Sequence, residues 1–195
     1  MKSINNFIVN IQNTTNDTMK TDSGLELYID TRFNEFDHRT TEGEVLAVPN
    51  NRETPVKVGD TLYFHHHVVV DGGMPISELD KWYMVIYNPV HAAYNQAIAY
   101  KSKDTGEIQS IKGWCLLEPH DKDDQGPEEG SIEVVKLKED PVTTGVVSFS
   151  SEELDDLGVS DGDVVGFKKN RDYRIKIDEK EYYRVAVTEL LYKIQ

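Results

Sequence analysis

Thr41-Glu42-Gly43-Glu44-Val45-Leu46-Ala47-Val48, a short turn from Asn50 to Pro55, and Val56-Lys57-Val58-Gly59-Asp60-Thr61-Leu62-Tyr63-Phe64 form a cassette that returns later in the chain. The second appearance is Thr143-Thr144-Gly145-Val146-Val147-Ser148-Phe149, an acidic connector, and Val159-Ser160-Asp161-Gly162-Asp163-Val164-Val165-Gly166-Phe167. Other landmarks recur in the same order. Phe7 to Ile11 answers to Trp114 to Leu117, Gly24-Leu25-Glu26-Leu27 to Ser131-Ile132-Glu133-Val134, and Lys81 to Ile86 to Lys180 to Val185. Solenoid units are shorter, roughly 20 to 50 residues, so a period this long predicts two copies of one small domain.

Residues 1–105 are expected to form the first copy and 106–195 the second, joined at the short polar stretch Ser102 to Gly106. A copy of this size hides a little over 60% of its unfolded surface, enough for a small β core without staples. The single cysteine, Cys115, cannot form an intrachain disulfide. No apolar run reaches the roughly 18 residues of a membrane span, and the opening residues lack the apolar core of a signal peptide. A soluble cytoplasmic chain is therefore expected, and the net charge of −14, which favours solubility and repels phosphate backbones, argues against a nucleic-acid partner.

Strands are expected at Asn6 to Gln12, on both arms of each cassette, at Trp82 to Tyr87, Ile111 to Leu117, Tyr173 to Ile177 and Tyr182 to Val187. Pro89 to Tyr100 reads as alanine-rich and mildly helical. Residues 13–31 offer little to bury and read as a mobile loop. Within that loop Gly24-Leu25-Glu26-Leu27-Tyr28-Ile29 presents an apolar tip of the kind that docks, although the same alternation suits one face of an ordinary strand. Residues 119–131 form the corresponding acidic loop, before the tip Ile132, Glu133, Val134. Asp121-x-Asp123-x-Gln125-Gly126 has the start of a calcium loop, but Ile132 stands where a bidentate carboxylate is required. On an extended strand His65 and His67 would share one face with His66 on the other. With no acidic or cysteine ligand close by in sequence, the run reads as a polar rim, and no metal is assigned.

The chain lacks a P-loop, a dinucleotide glycine pattern, a nucleophile elbow and a His-Glu-x-x-His motif. No catalytic residues are therefore assigned, and an interaction module is expected rather than an enzyme.

The first strand, the polar loop with its glycine and aliphatic tip, Gly43-Glu44-Val45-Leu46-Ala47-Val48, Val56-Lys57-Val58-Gly59-Asp60 through Phe64, and the closing apolar strand together resemble the GroES family of co-chaperonins. Gly162 to Phe167 and Ile175 to Leu191 carry the likeness in the second half, so it spans nearly the whole chain. The resemblance implies an all-β chain of two tandem GroES-like irregular β-barrels in a homo-oligomeric ring that caps a GroEL-type chaperonin. An unfolded client would sit in the capped chamber. The chaperonin-binding residues would be Gly24, Leu25, Glu26, Leu27 and Tyr28, with Ile132, Glu133 and Val134 in the second copy. ATP would be bound by the partner chaperonin, so no cofactor is expected. The location implied is the cytoplasm of a bacterium or infected cell, with an organellar stroma or matrix as the other setting.

Glu26 and Glu133 stand where the family usually has a branched aliphatic residue, which implies an adapted partner groove. The connectors Pro49 to Pro55 and Ser150 to Gly158 are short for a roof hairpin, so a dome open at its top is expected. Two domains per chain cannot tile seven positions, so one domain would leave the docking ring or the stoichiometry would be unusual. The alternative class is an oligomeric structural or assembly protein, viral ones included, that keeps the barrels and no longer binds a chaperonin. A zinc- and nicotinamide-dependent dehydrogenase is excluded by the missing cysteine ligands and dinucleotide fold.

Overall fold

The computed structural model describes residues 2–16, 18–21, 23–28, 30–31, 38–69, 75–77, 81–91, 94–119, 142–178 and 180–194. The chain divides into two compact units, Met1–Asn88 with Tyr94–Glu107, and Pro89–Ala93 with Ile108–Gln195.

In the first unit the strands are β1 (Phe7–Asn10), β2 (Thr18–Lys20), β3 (Glu26–Tyr28), β4 (Glu42–Ala47), β5 (Thr61–Phe64), β6 (Pro75–Ser77), β7 (Trp82–Val85) and β8 (Ala97–Lys101). After β9 (Ile108–Ser110), the second unit has β10 (Trp114–Pro119), β11 (Val142–Ser148), α1 (Glu152–Asp156), β12 (Val164–Lys168), β13 (Tyr173–Ile177), β14 (Lys180–Ala186) and β15 (Leu190–Ile194). One sheet has the order β6-β7-β1-β4-β5-β8-β9 and the other β13-β14-β10-β11-β12-β15, while β2 and β3 form a small sheet of their own. The ladders that join β1 with β4 and β7, β4 with β5, β5 with β8, β6 with β7 and β2 with β3, and those among β10 to β15, are antiparallel.

The six strands β1, β4, β5, β6, β7, β8 and the six strands β10 to β15 follow the same path through their sheets. In each, the first strand sits between the second and the fifth, the third lies outside the second, and the sixth lies outside the third. Irregular barrels were expected. Among the described residues both sheets are open, with no ladder from β6 back to β9 or from β13 to β15. β6 has only three residues and begins at a proline, which has no N–H to offer a further strand.

The correspondence extends to single hydrogen bonds. Val45 N–H donates to the Asp60 carbonyl at 2.8 Å, and Gly59 N–H donates back to Val45 at 2.8 Å. In the second unit Val147 N–H donates to the Asp163 carbonyl at 2.8 Å, and Gly162 N–H to Val147 at 2.9 Å. Gly59 and Gly162 have φ of 93° and 87°. The following aspartate closes the same turn twice: an Asp60 carboxylate oxygen accepts the Lys57 N–H at 2.7 Å, and one of Asp163 accepts the Ser160 N–H at 2.8 Å. Each aspartate also reaches the closing strand or its exit. The other Asp60 oxygen accepts the Lys103 N–H at 3.0 Å, whereas Asp163 meets the Lys193 ammonium at 2.7 Å.

This register places Phe7 opposite Val85 and Cys115 opposite Val185, and Val9 opposite Tyr83 and Leu117 opposite Tyr183. Matching Phe7 to Trp114 and Tyr83 to Tyr182, as the sequence suggested, is therefore wrong by one residue. With the corrected match, Phe7, Val9, Val45, Leu62, Phe64 and Val85 correspond to Cys115, Leu117, Val147, Val165, Phe167 and Val185, and all are buried. Leu154 of α1 fills the second core as well. The acidic connector thus contains a short helix that nothing in its sequence announced.

The stretch read as mildly helical also differs, since Ala97–Lys101 is strand β8. Its small side chains answer a large one: Ala99 lies directly across from Tyr63, which is buried. The second unit reverses the sizes, with Gly166 on β12 facing Tyr192 on β15, and a Cβ at Gly166 would run into the Tyr192 ring. Both pairs sit beside the same irregularity, one between Tyr63 and Phe64 and the other between Gly166 and Phe167.

Candidate functional site

The expected loop at 13–31 contains a hairpin. Thr18, Met19 and Lys20 pair with Tyr28, Leu27 and Glu26. Thr21 organises the turn: its N–H donates to the Leu25 carbonyl at 2.9 Å, its carbonyl accepts the Gly24 N–H at 2.8 Å, and its Oγ1 accepts the Leu25 N–H at 3.1 Å. Gly24 has φ of 81°, in the left-handed region that side chains disfavour, so the residue before the tip has to be a glycine or pay in strain.

Among the described residues the base of the hairpin is tied to the rest of the unit by three hydrogen bonds to backbone carbonyls. Asn16 N–H donates to the His38 carbonyl at 2.6 Å, Thr15 bridges Arg39, and Thr40 holds Thr14 and Asn13 at 3.0 and 2.6 Å. Beyond that base the two strands, among the described residues, pair only with each other. An isolated two-stranded hairpin is marginally stable in water, so this element opens more easily than either large sheet.

Its side chains are turned outward. Leu25 is 59% exposed, Leu27 42% and Tyr28 86%, and Glu26 is exposed as well. Alternation along β3 puts Leu27 on the face opposite Glu26 and Tyr28. The tip therefore offers an aliphatic side and a carboxylate-aromatic side, and each can be buried by a partner. The ordinary-strand alternative, with Leu25, Leu27 and Ile29 on one face, holds in part: Leu27 lies on strand β3, Leu25 lies in the turn before it, and both leucines are exposed. Ile29 lies outside the described residues, as do Ile132, Glu133, Val134, the 119–131 loop beyond Pro119, and the calcium-like run from Asp121.

The three histidines do not alternate along a strand. β5 ends at Phe64, and His66–Val69 is a turn of 3₁₀ helix. His66 accordingly does not point away: ring centroids are 4.4 Å apart for His65 and His66, and 4.5 Å for each of the other two pairs. The clue lay in the sequence, because a strand that ended at Phe64 would leave three consecutive imidazoles on one tight turn.

In the second unit Cys115 lies in the core and Arg184 is half-buried beside it. Burial, with a smaller contribution from Asp161, pushes the Cys115 thiol up to about 12, which keeps it protonated at neutral pH. Arg184 is held to about 10 by burial, its guanidinium 3.9 Å above the Trp114 ring and 5.0 Å from that of Tyr173. No protein-family model matches this chain, and no curated protein matches it either.

Proposed function

We propose that this chain is a co-chaperonin of GroES-like type, which docks through the Leu25 to Tyr28 tip onto an apolar groove of a GroEL-type chaperonin and hydrolyses nothing itself. The observation that carries the reading is the exposed aliphatic tip on a hairpin that belongs to neither large sheet. The repeated strand path agrees with two GroES-like domains, each an irregular relative of that barrel.

The energetics favour a ring. Fully burying a leucine contributes about 1.5 to 3 kcal/mol, and Leu25 and Leu27 are already partly covered, so one tip yields roughly millimolar binding at best. Several tips on one assembly act at high effective concentration, and together they bind firmly yet release when the partner's grooves turn away in concert. Glu26 in the middle of the tip calls for a groove with a polar or cationic neighbour rather than a purely aliphatic one.

The test is size-exclusion chromatography of the full chain mixed with a bacterial chaperonin and ADP or ATP, beside Leu25→Ser/Leu27→Ser and Ile132→Ser/Val134→Ser. Nucleotide-dependent co-migration that the first variant loses is the expected result. Failure to associate with any host chaperonin, from a chain that still assembles into rings, would leave a structural brick and remove the proposal.

A further inference from the structure

We infer that His65, His66 and His67 form a binding site for one first-row divalent ion of the zinc, nickel or copper class, independent of any chaperonin contact. Their ligand atoms all lie within 4.8 Å of one another. Three nitrogens around such an ion at 2.0 to 2.1 Å would be about 3.4 Å apart in tetrahedral geometry. Closing that gap requires the rings to turn toward one another, and two of the residues are half-buried while the third is exposed.

The backbone under the rings is already fixed. Phe64 on one side and Val68 on the other are buried, so the three histidines span an outward turn between two core anchors. His65 N–H donates to the Gln96 carbonyl at 2.9 Å, and Val68 N–H donates to the His65 carbonyl at 3.0 Å. A site on a turn held at both ends loses little freedom when it binds. Imidazole donors select zinc, nickel or copper, whereas calcium and magnesium require oxygen. Three protein ligands leave at least one position for water.

Loading has a signature of its own. The His67 backbone N–H donates to the His65 Nδ1 at 3.3 Å. A neutral imidazole has one lone pair and one N–H. If the ion takes Nδ1, that lone pair is used; if it takes Nε2, the proton moves to Nδ1, which then cannot accept. Either way the His67 amide loses its acceptor.

The experiment uses the full chain without an affinity tag, titrated with zinc chloride by calorimetry and followed by amide-resolved NMR. The expected result is one zinc per chain, displacement of the His67 amide resonance on loading, and at least tenfold weaker binding in each of His65→Gln, His66→Gln and His67→Gln. Magnesium should leave that resonance in place. The urea midpoint of each variant shows that it is folded. Absence of saturable binding, unchanged affinity in any one variant, or one zinc shared by two chains would each overturn the three-ligand site.

Discussion

Substituting Gly145 by alanine sets two effects of opposite sign against each other. In an open strand, glycine to alanine stabilises by about 0.5 to 1 kcal/mol, because the unfolded chain loses freedom. Here a Cβ would stand 2.8 Å from the Leu117 Cβ and 3.1 Å from the Glu118 carbonyl oxygen. Leu117 is fully buried and its Cβ moves only with β10, so the two strands would have to separate by about 1 Å to restore ordinary contact.

Gly145 pairs with Pro119, the last residue of β10, and a proline donates no ladder bond there. The strand end can therefore yield, which places the overpacking cost near the middle of its range, about 2 kcal/mol. The net loss expected is about 1 to 1.5 kcal/mol, a fall of roughly 0.5 to 1 M in the urea midpoint. The chain has two tryptophans, Trp82 in the first unit and Trp114 in the second, so a Trp82→Phe background lets fluorescence report the second unit. Gly43→Ala should behave alike, since its Cβ would meet the Asn10 carbonyl oxygen at 2.8 Å. A midpoint equal to or above the parent's in both variants would refute the argument that close strand approach requires glycine at these positions.

Asp60→Ala should cost about 2 to 3 kcal/mol in urea unfolding, because it strands the Lys57 and Lys103 amides that the buried carboxylate accepts. Native Cys115 should react with iodoacetamide at pH 8 on the order of 10³-fold more slowly than in urea, since burial keeps its pKa near 12; rapid native labelling would contradict the buried placement. The Lys193 ammonium, then the Ser160 amide, hold the Asp163 carboxyl below its usual value. A lowered folded-state pKa contributes stability above the ordinary value of 3.8 that is lost as pH falls through the folded one. The stability gap between the parent and Asp163→Asn should thus be full at neutral pH, narrow below about pH 5 and close in stronger acid. Leu25→Ser/Leu27→Ser should leave the urea midpoint within about 0.5 kcal/mol of the parent, as exposed positions do.

The turns around Gly59-Asp60 and Gly162-Asp163 were legible because their chemistry is local: a left-handed residue and a carboxylate that caps its own loop. The flanking registers were not. Phe7 to Val9 and Cys115 to Leu117 are buried on successive residues, so no alternation between core and solvent marks which residue faces which way. Ala97 and Ala99 resembled helix because the large residues across the ladder from them, Phe64 and Tyr63, are distant in sequence. In α1 only Leu154 is buried, too little for a helical period to register. At the candidate docking site Gly24 and the alternating leucines marked the tip, but Thr18 to Lys20 gave no sign of being its pairing strand.

The exchanged sizes of Tyr63 with Ala99 and Gly166 with Tyr192 bear on how a chain with two copies of one path avoids mistaking one for the other during synthesis. Tandem copies invite a strand to close the wrong neighbour. Were β15 to close against β5, the Tyr192 and Tyr63 rings would compete for one place; were β8 to close against β12, Ala99 would face Gly166 with no ring to cover it. Neither exchange reproduces the pairing of a large residue with a small one that each unit makes with its own final strand.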